Sequence, residues 1–282
     1  MKILLGDNQF FGINHNDLNK AKEVKKKFPN VNSIHDFICS SMDIGLDGFM
    51  INSNSLGYKL IKKYEFDKLK EIHYSIPYPH KYASIVNEKG MLNLMYFFIK
   101  NTSIFKLLKC LPFYLFTRNL KYLIPIATSL EVPKSLPKGS TIYLQNILTD
   151  LILGIERVDM LEEFALDVRS QGYKLGLITL NPIVLNSHII NSEILNKEDL
   201  TVCFNINYNG FNVFPDKFSV ENFVKSDNNY KLMGMSILSS GGSNIKDSID
   251  YIKNFNLDYI VFGSSNLKNI ENNYNSFKKN IE

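Results

Sequence analysis

A (β/α)8 barrel, eight parallel strands alternating with helices, is the fold that this sequence predicts. Short apolar runs ending in polar or glycine-rich clusters recur eight times along the chain, and stretches with helical spacing of apolar residues lie between most of them. Strands buried on both faces read as such near-continuous apolar runs, and alternation with helices is the mark of a parallel sheet. The length of 282 residues suits a barrel of about 250 with some chain to spare. An open doubly wound sheet is the rival, but no strand is followed by the G-x-G-x-x-G fingerprint of a nucleotide-binding turn.

The first strand is Lys2 to Gly6, running into Asp7, Asn8 and Gln9. Ile34, Phe37, Ile38 and Met42 then mark a helix from Ile34 to Ile44 that stops at Gly45. Strand two is Asp47 to Ile51, a helix is expected over Leu60 to Leu69, and strand three is Glu71 to Ile76, ending at Pro77-Tyr78-Pro79-His80. After the turn residues Pro137-Lys138-Gly139 comes strand four, Thr141 to Asn146, and then a helix from Met160 to Gln171 closed by Gly172. Strands five to eight fall at Lys174–Ile178, Leu200–Phe204, Tyr230–Ser236 and Tyr259–Phe262, with helices at Ile245–Asn254 and from Leu267 onward.

The chain is expected to be one domain, residues 1–282. Residues 83–138 are longer than a usual strand-to-strand connection and are read as a helical insertion after strand three. Its apolar residues at helical spacing, Leu92-Met95-Tyr96-Ile99 and Phe105-Leu108-Leu111, suit packing on the barrel, a lid over its mouth, or a membrane surface.

Composition narrows the function classes. With 45% hydrophobic and 21% charged residues, the chain can bury a core and is not disordered. A net charge of +4 over this length gives no reason to expect nucleic acid as a partner. Lysines, Arg118 and prolines interrupt the most apolar region, so no transmembrane helix is expected. No leader is visible, and three cysteines outside any C-x-x-C fit a reducing compartment, so a cytoplasmic location is expected.

Barrel enzymes place their chemistry at the C-terminal ends of strands and in the loops that follow. Those positions here carry Asp7, Asn8, Gln9, Asn52, Gln145, Asn146, Asn181 and Asn207, with His15, His80 and Lys81 nearby. Amides both donate and accept hydrogen bonds, which suits a hydroxyl-bearing substrate, and Asp7, His15, His80 and Lys81 are the groups able to move a proton. The same residue types also serve as turns and caps. After strands seven and eight come Ser239-Ser240-Gly241-Gly242-Ser243 and Gly263-Ser264-Ser265-Asn266. Backbone N–H groups and hydroxyls ahead of a helix complement phosphate, although glycine and serine are also what tight turns select. No H-E-x-x-H or H-x-x-E-H spacing points to a metal.

The second half of the chain resembles the aldo-keto reductases, NADPH-dependent (β/α)8 barrels. Ile142-Tyr-Leu-Gln-Asn146 is similar to their Leu-Tyr-x-x-His on strand four, and Gly172-Tyr-Lys-Leu-Gly176 to the glycine-bounded lead-in of strand five. Asn205-Ile-Asn-Tyr-Asn209 resembles their Gln-x-x-Tyr-Asn, and Met233 to Leu238 with Phe262 to Asn266 resembles their last two strands. The resemblance implies a tetrad in which Asp and Lys lower the pKa of a Tyr, aided by a His. Here Tyr58 stands at the tyrosine position, Ser53 at the aspartate, Pro77 or Tyr78 at the lysine with Lys81 the nearest cation, and Asn146 at the histidine.

Three functions follow as expectations. The first is an enzyme of this ancestry that acts by acid/base chemistry, as an isomerase, epimerase or lyase, on a phosphorylated or nucleotide-linked sugar-type molecule. The second is an NADPH-dependent carbonyl reductase with an altered tetrad, using Tyr58, Lys81 and Asn146. The third is a non-catalytic barrel that binds a partner.

Overall fold

The computed structural model describes residues 1–10, 26–64, 66, 71–78, 82, 87, 90–93, 96–98 and 100–281. Eight strands form one closed parallel barrel: β1 (Lys2–Leu5), β2 (Gly48–Asn52), β3 (Glu71–Ile76), β4 (Thr141–Leu144), β5 (Lys174–Ile178), β6 (Thr201–Asn205), β7 (Lys231–Met235) and β8 (Tyr259–Phe262). Each pairs with its sequence neighbours, and β8 closes on β1 with Ile3 opposite Ile260. Closure removes the edges that the open-sheet alternative would leave.

Strand side chains alternate between two apolar bodies. Leu5, Phe49, Ile72, Leu175, Val202 and Ile260 face outward against the helices. Leu4, Tyr143, Ile178, Cys203, Met233 and Tyr259 fill the lumen. The lumen also holds a polar column. His73 Nδ1 lies 2.9 Å from the Tyr143 hydroxyl, and His73 Nε2 lies 3.4 Å from Glu71, which also accepts from Lys2. Burial pushes the His73 pKa down and favours a neutral ring that donates from Nε2, while that hydrogen bond, with Lys2, holds Glu71 at about 2. This fully packed column fixes the lumen and lies below the mouth. Cys203 is buried beside it, and burial raises its thiol well above the ordinary value, which suits packing and not nucleophilic attack.

The described helices are α1 (Val31–Ile44), α2 (Ser55–Lys63), α3 (Ile104–Thr117), α4 (Ile124–Glu131), α5 (Asn146–Gly154), α6 (Val158–Ser170), α7 (Pro182–Ile189), α8 (Lys217–Lys225), α9 (Ile245–Ile252) and α10 (Leu267–Ile281). α1 ends where expected, at Gly45 with φ 123°, which only glycine adopts easily. α2 departs from the expected Leu60–Leu69. Asn54 accepts hydrogen bonds from the backbone N–H groups of Leu56 (3.0 Å) and Gly57 (2.8 Å), so the helix starts at Ser55, and Tyr64 is already extended. Removing the cap by Asn54→Ala is expected to cost about 1 kcal/mol in chemical denaturation; an unchanged midpoint would show that the cap contributes nothing.

The expected strand Thr141–Asn146 is also shorter, because Gln145 sits before α5 and Asn146 is its first residue. The structure adds α5, α7 and α8, of eight or nine residues each, which the sequence periodicity did not single out.

Between β3 and β4 the described chain runs through α3, a 3-10 turn at Leu120–Leu123, and α4. α4 buries Thr128 and Leu130, and the Tyr74 hydroxyl of β3 donates to its Glu131 carbonyl at 3.2 Å. Parts of the expected insertion 83–138, including Met95 and Ile99, lie outside the described residues. No described helix is long and apolar enough to cross a membrane.

Candidate functional site at the barrel mouth

Parallel closure brings the C-terminal ends of all eight strands to one face, so residues far apart in sequence meet there. Gly6 continues the β1–β8 pairing by donating to the Phe262 carbonyl, and the chain then turns, with Phe10 N–H bonded to the Asp7 carbonyl at 2.8 Å. This turn holds Asp7 at the end of β1, only 5% exposed. Its Oδ2 accepts from the Asn52 backbone N–H at 2.6 Å, and Asn52 Nδ2 lies 2.9 and 3.0 Å from the two carboxylate oxygens. Asn52 Oδ1 in turn accepts from Gln145 Nε2. One hydrogen-bonded chain therefore links the ends of β1, β2 and β4.

Burial raises the Asp7 pKa to about 6 against the opposing effect of the Asn52 hydrogen bonds. Tyr78, just past β3, is half-buried and holds its proton more tightly, through burial and then through the negative charge of Asp7. Gln9 donates to the Gly6 carbonyl, and its buried Oε1 has no hydrogen-bond partner among the described residues. That oxygen rests against Gly263, where a Cβ would come within 2.2 Å of it. Asn8 is exposed.

On the other side of the mouth, most polar side chains bind one another. Asn205 donates to the Asn212 carbonyl at 2.9 Å and accepts from Ser236 Oγ at 2.7 Å. Asn207 Oδ1 accepts from Phe211 N–H (2.8 Å) and Ser239 Oγ (3.2 Å), and Ser243 Oγ donates to Ser239 Oγ at 2.7 Å. Asn207 and Ser239 thus lock the loop after β6 to the loop after β7. Asn209 Nδ2 adds a bond to the Gly242 carbonyl at 3.1 Å, and Ser240, Gly241 and Gly242 are exposed, the last two donating their N–H groups to the Leu238 and Ser239 carbonyls. After β8, Gly263 is exposed, Ser264 Oγ accepts from Asn266 N–H at 3.2 Å, and Lys27 Nζ donates to the Ser265 carbonyl. Asn266 Oδ1 accepts from Lys268 N–H at 2.9 Å, as a cap of α10.

Tyr58 and Asn146 belong to different surroundings. Tyr58 is on α2, where burial and the charge of Glu131 raise its pKa, and Tyr74 feels the same two groups from the outer face of β3. Asn146 lies in the first turn of α5. His15, His80 and Lys81 lie outside the described residues. Asn181 caps α7, accepting from Val184 N–H at 3.2 Å, and lines a depression of about 700 Å³ with Asp150, Leu180, Val213 and Phe214. Asp150 accepts from Thr179 Oγ1 and, at 3.0 Å, from Leu180 N–H, and burial raises its pKa. Asp7 is not part of that wall. The signal for the mouth chain was its strand-end positions. In the separate network across the mouth, Ser236, bonded to Asn205, was passed over by sequence reasoning, having been read as the end of a strand.

Among the described residues, no three of His, Cys, Asp and Glu gather to hold a metal ion. No family model matches the chain, and no curated protein does. A solved chain described as "Putative aldo-keto reductase from Pseudomona aeruginosa" has the same fold, with a TM-score of 0.53 at 11% identity over 99% of this chain and 90% of that one. The fold is thus that of an aldo-keto-reductase-like barrel.

Proposed function

We propose that the barrel is an enzyme that binds a hydroxyl-bearing, phosphorylated or nucleotide-linked small molecule at its mouth and moves a proton with Asp7, in an isomerase, epimerase or lyase step. The Asp7 carboxyl, buried at the end of β1 and hydrogen-bonded by Asn52, is the observation that carries this reading, and burial pushes its pKa up to about 6. Close to neutrality such a group releases and regains a proton at small cost, which is what general acid/base catalysis requires. A buried carboxylate is held in one orientation by Asn52, and the half-buried Gln145 and Tyr78 supply further polar groups beside it. The exposed Ser240 and the hydroxyls of Ser264 and Ser265 support an anion at the same face.

Nicotinamide-dependent carbonyl reduction is the second reading, favoured by the likeness in fold. The residues at the tetrad positions do not fit it. A reductase tyrosine must yield its proton as hydride arrives, whereas burial and Glu131 make Tyr58 hold its proton more tightly. Ser53 and Asn146 supply neither the acid nor the imidazole.

Aldoses, ketoses and their phosphates incubated with the protein in deuterium oxide are expected to take up deuterium at the carbon beside the carbonyl, as read by proton NMR, and Asp7→Asn to abolish the exchange. Exchange in none of them, or exchange equal in the variant, removes the proposed role of Asp7. Fluorescence titration decides the second reading, which falls if NADPH shows no saturable binding at millimolar concentration.

A further inference from the structure

The segment between β3 and β4 carries an apolar surface that the barrel does not cover. On α3, Ser103, Leu107, Cys110 and Tyr114 recur every three or four residues and form the inward face. On the opposite side Ile104, Phe105, Leu108, Leu115 and Phe116 form one stripe, with exposures from 54% for Leu115 to 91% for Phe116. Leu92, at 81%, and Tyr96 are exposed on the chain leading to it. Together these residues expose on the order of 1000 Å², more than a monomer ordinarily leaves bare in one apolar patch.

Charge identifies the occupant. From Gly90 to Leu130 the sequence contains Lys100, Lys106, Lys109, Arg118 and Lys121 and no aspartate or glutamate, so these five cations exceed the net +4 of the whole chain. Lys106 is engaged by Asp167 at 2.6 Å, while Lys109, Arg118 and Lys121 form no ion pair within 4 Å among the described residues, Lys109 and Lys121 feeling Asp167 and Asp159 only from farther off. A second copy docking through the same face would set this cationic segment against itself. An anionic bilayer surface presents negative charge everywhere and accepts apolar side chains beneath it.

We infer that α3 and its flanking turns lie flat on an anionic membrane surface, with Phe105, Leu108 and Phe116 entering the headgroup layer and Lys109, Arg118 and Lys121 meeting lipid phosphates. At 14 residues α3 is about 21 Å long, too short to span and suited to the interface. The inference is independent of any chemistry at the mouth.

Flotation of the full-length protein with vesicles of phosphatidylcholine, alone or mixed with phosphatidylglycerol, tests it. Recovery with the mixed vesicles is expected to exceed that with neutral ones by about tenfold or more, and to fall as salt is raised. Both the triple variant Phe105→Ser, Leu108→Ser, Phe116→Ser and the charge-reversed Lys109→Glu, Arg118→Glu, Lys121→Glu are expected to stay in solution while keeping the wild-type circular dichroism. The charge-reversed variant leaves every apolar side chain of the stripe in place and decides the matter if the serine variant misfolds. Equal recovery with both kinds of vesicle overturns the inference. So does a concentration-dependent dimer, seen by light scattering, that either variant makes monomeric.

Discussion

Asp7→Asn is expected to flatten the dependence of stability on pH between about pH 4 and pH 7, where the wild-type protein loses about 3 kcal/mol. The carboxyl has an ordinary pKa of 3.8 and a folded value of about 6, so the native state binds this proton more tightly than the unfolded chain does. Stability from that proton is complete below 3.8 and disappears as pH rises through 6. A shift of roughly two units at 1.36 kcal/mol each sets the magnitude, and almost complete burial leaves little solvent to screen it. Glu71 works in the opposite direction and in another window. Held at about 2, it contributes stability at neutral pH that is lost only as pH falls below its ordinary value of 4.5. Guanidinium melts of both proteins across this pH range isolate the Asp7 contribution as the difference between two curves. Parallel curves would show that the carboxyl is not buried as described.

The barrel was legible because its strands are buried on both faces, which turns each into an apolar run with an abrupt polar end. β3, β5 and β8 begin and end where those runs do. The helix boundaries depended on single side chains: one amide, Asn54, moved the start of α2 from Leu60 to Ser55. At the mouth, Asp7, Asn52 and Gln145 could be named from their places after apolar runs, but their connection could not. Barrel layers are filled by side chains from alternate strands, so Asn52 of β2 reaches Gln145 over the short Ser75 of β3, a neighbour relation without a sequence spacing. Tyr58 shows the reverse limit. Spacing from Ser53 put it in a tetrad, but its surroundings depend on the turn of α2 and on Glu131 from α4.

Gly57→Ala is expected to destabilise the protein by about 2 kcal/mol or more, against the direction that helix propensity alone gives. Alanine favours a helix over glycine by about 1 kcal/mol, yet a Cβ at position 57 would lie 2.1 Å from the Asn52 carbonyl oxygen and 3.2 Å from Ile51 Cγ1. The first of these is backbone and cannot rotate aside, so α2 must retreat from β2 or Asn52 must move. Gly154, at the end of α5, has nothing within 4 Å of its would-be Cβ, and Gly154→Ala is expected to stabilise by about 0.5 kcal/mol. The pair measures the close approach with the propensity effect held in common. Movement of Asn52 also loosens the hydrogen bonds that restrain the Asp7 pKa, so in Gly57→Ala the pH at which stability falls away should rise above that of the wild type. Equal melting behaviour of the two alanine variants would mean that α2 does not rest on Asn52, and that the mouth is not set by this contact.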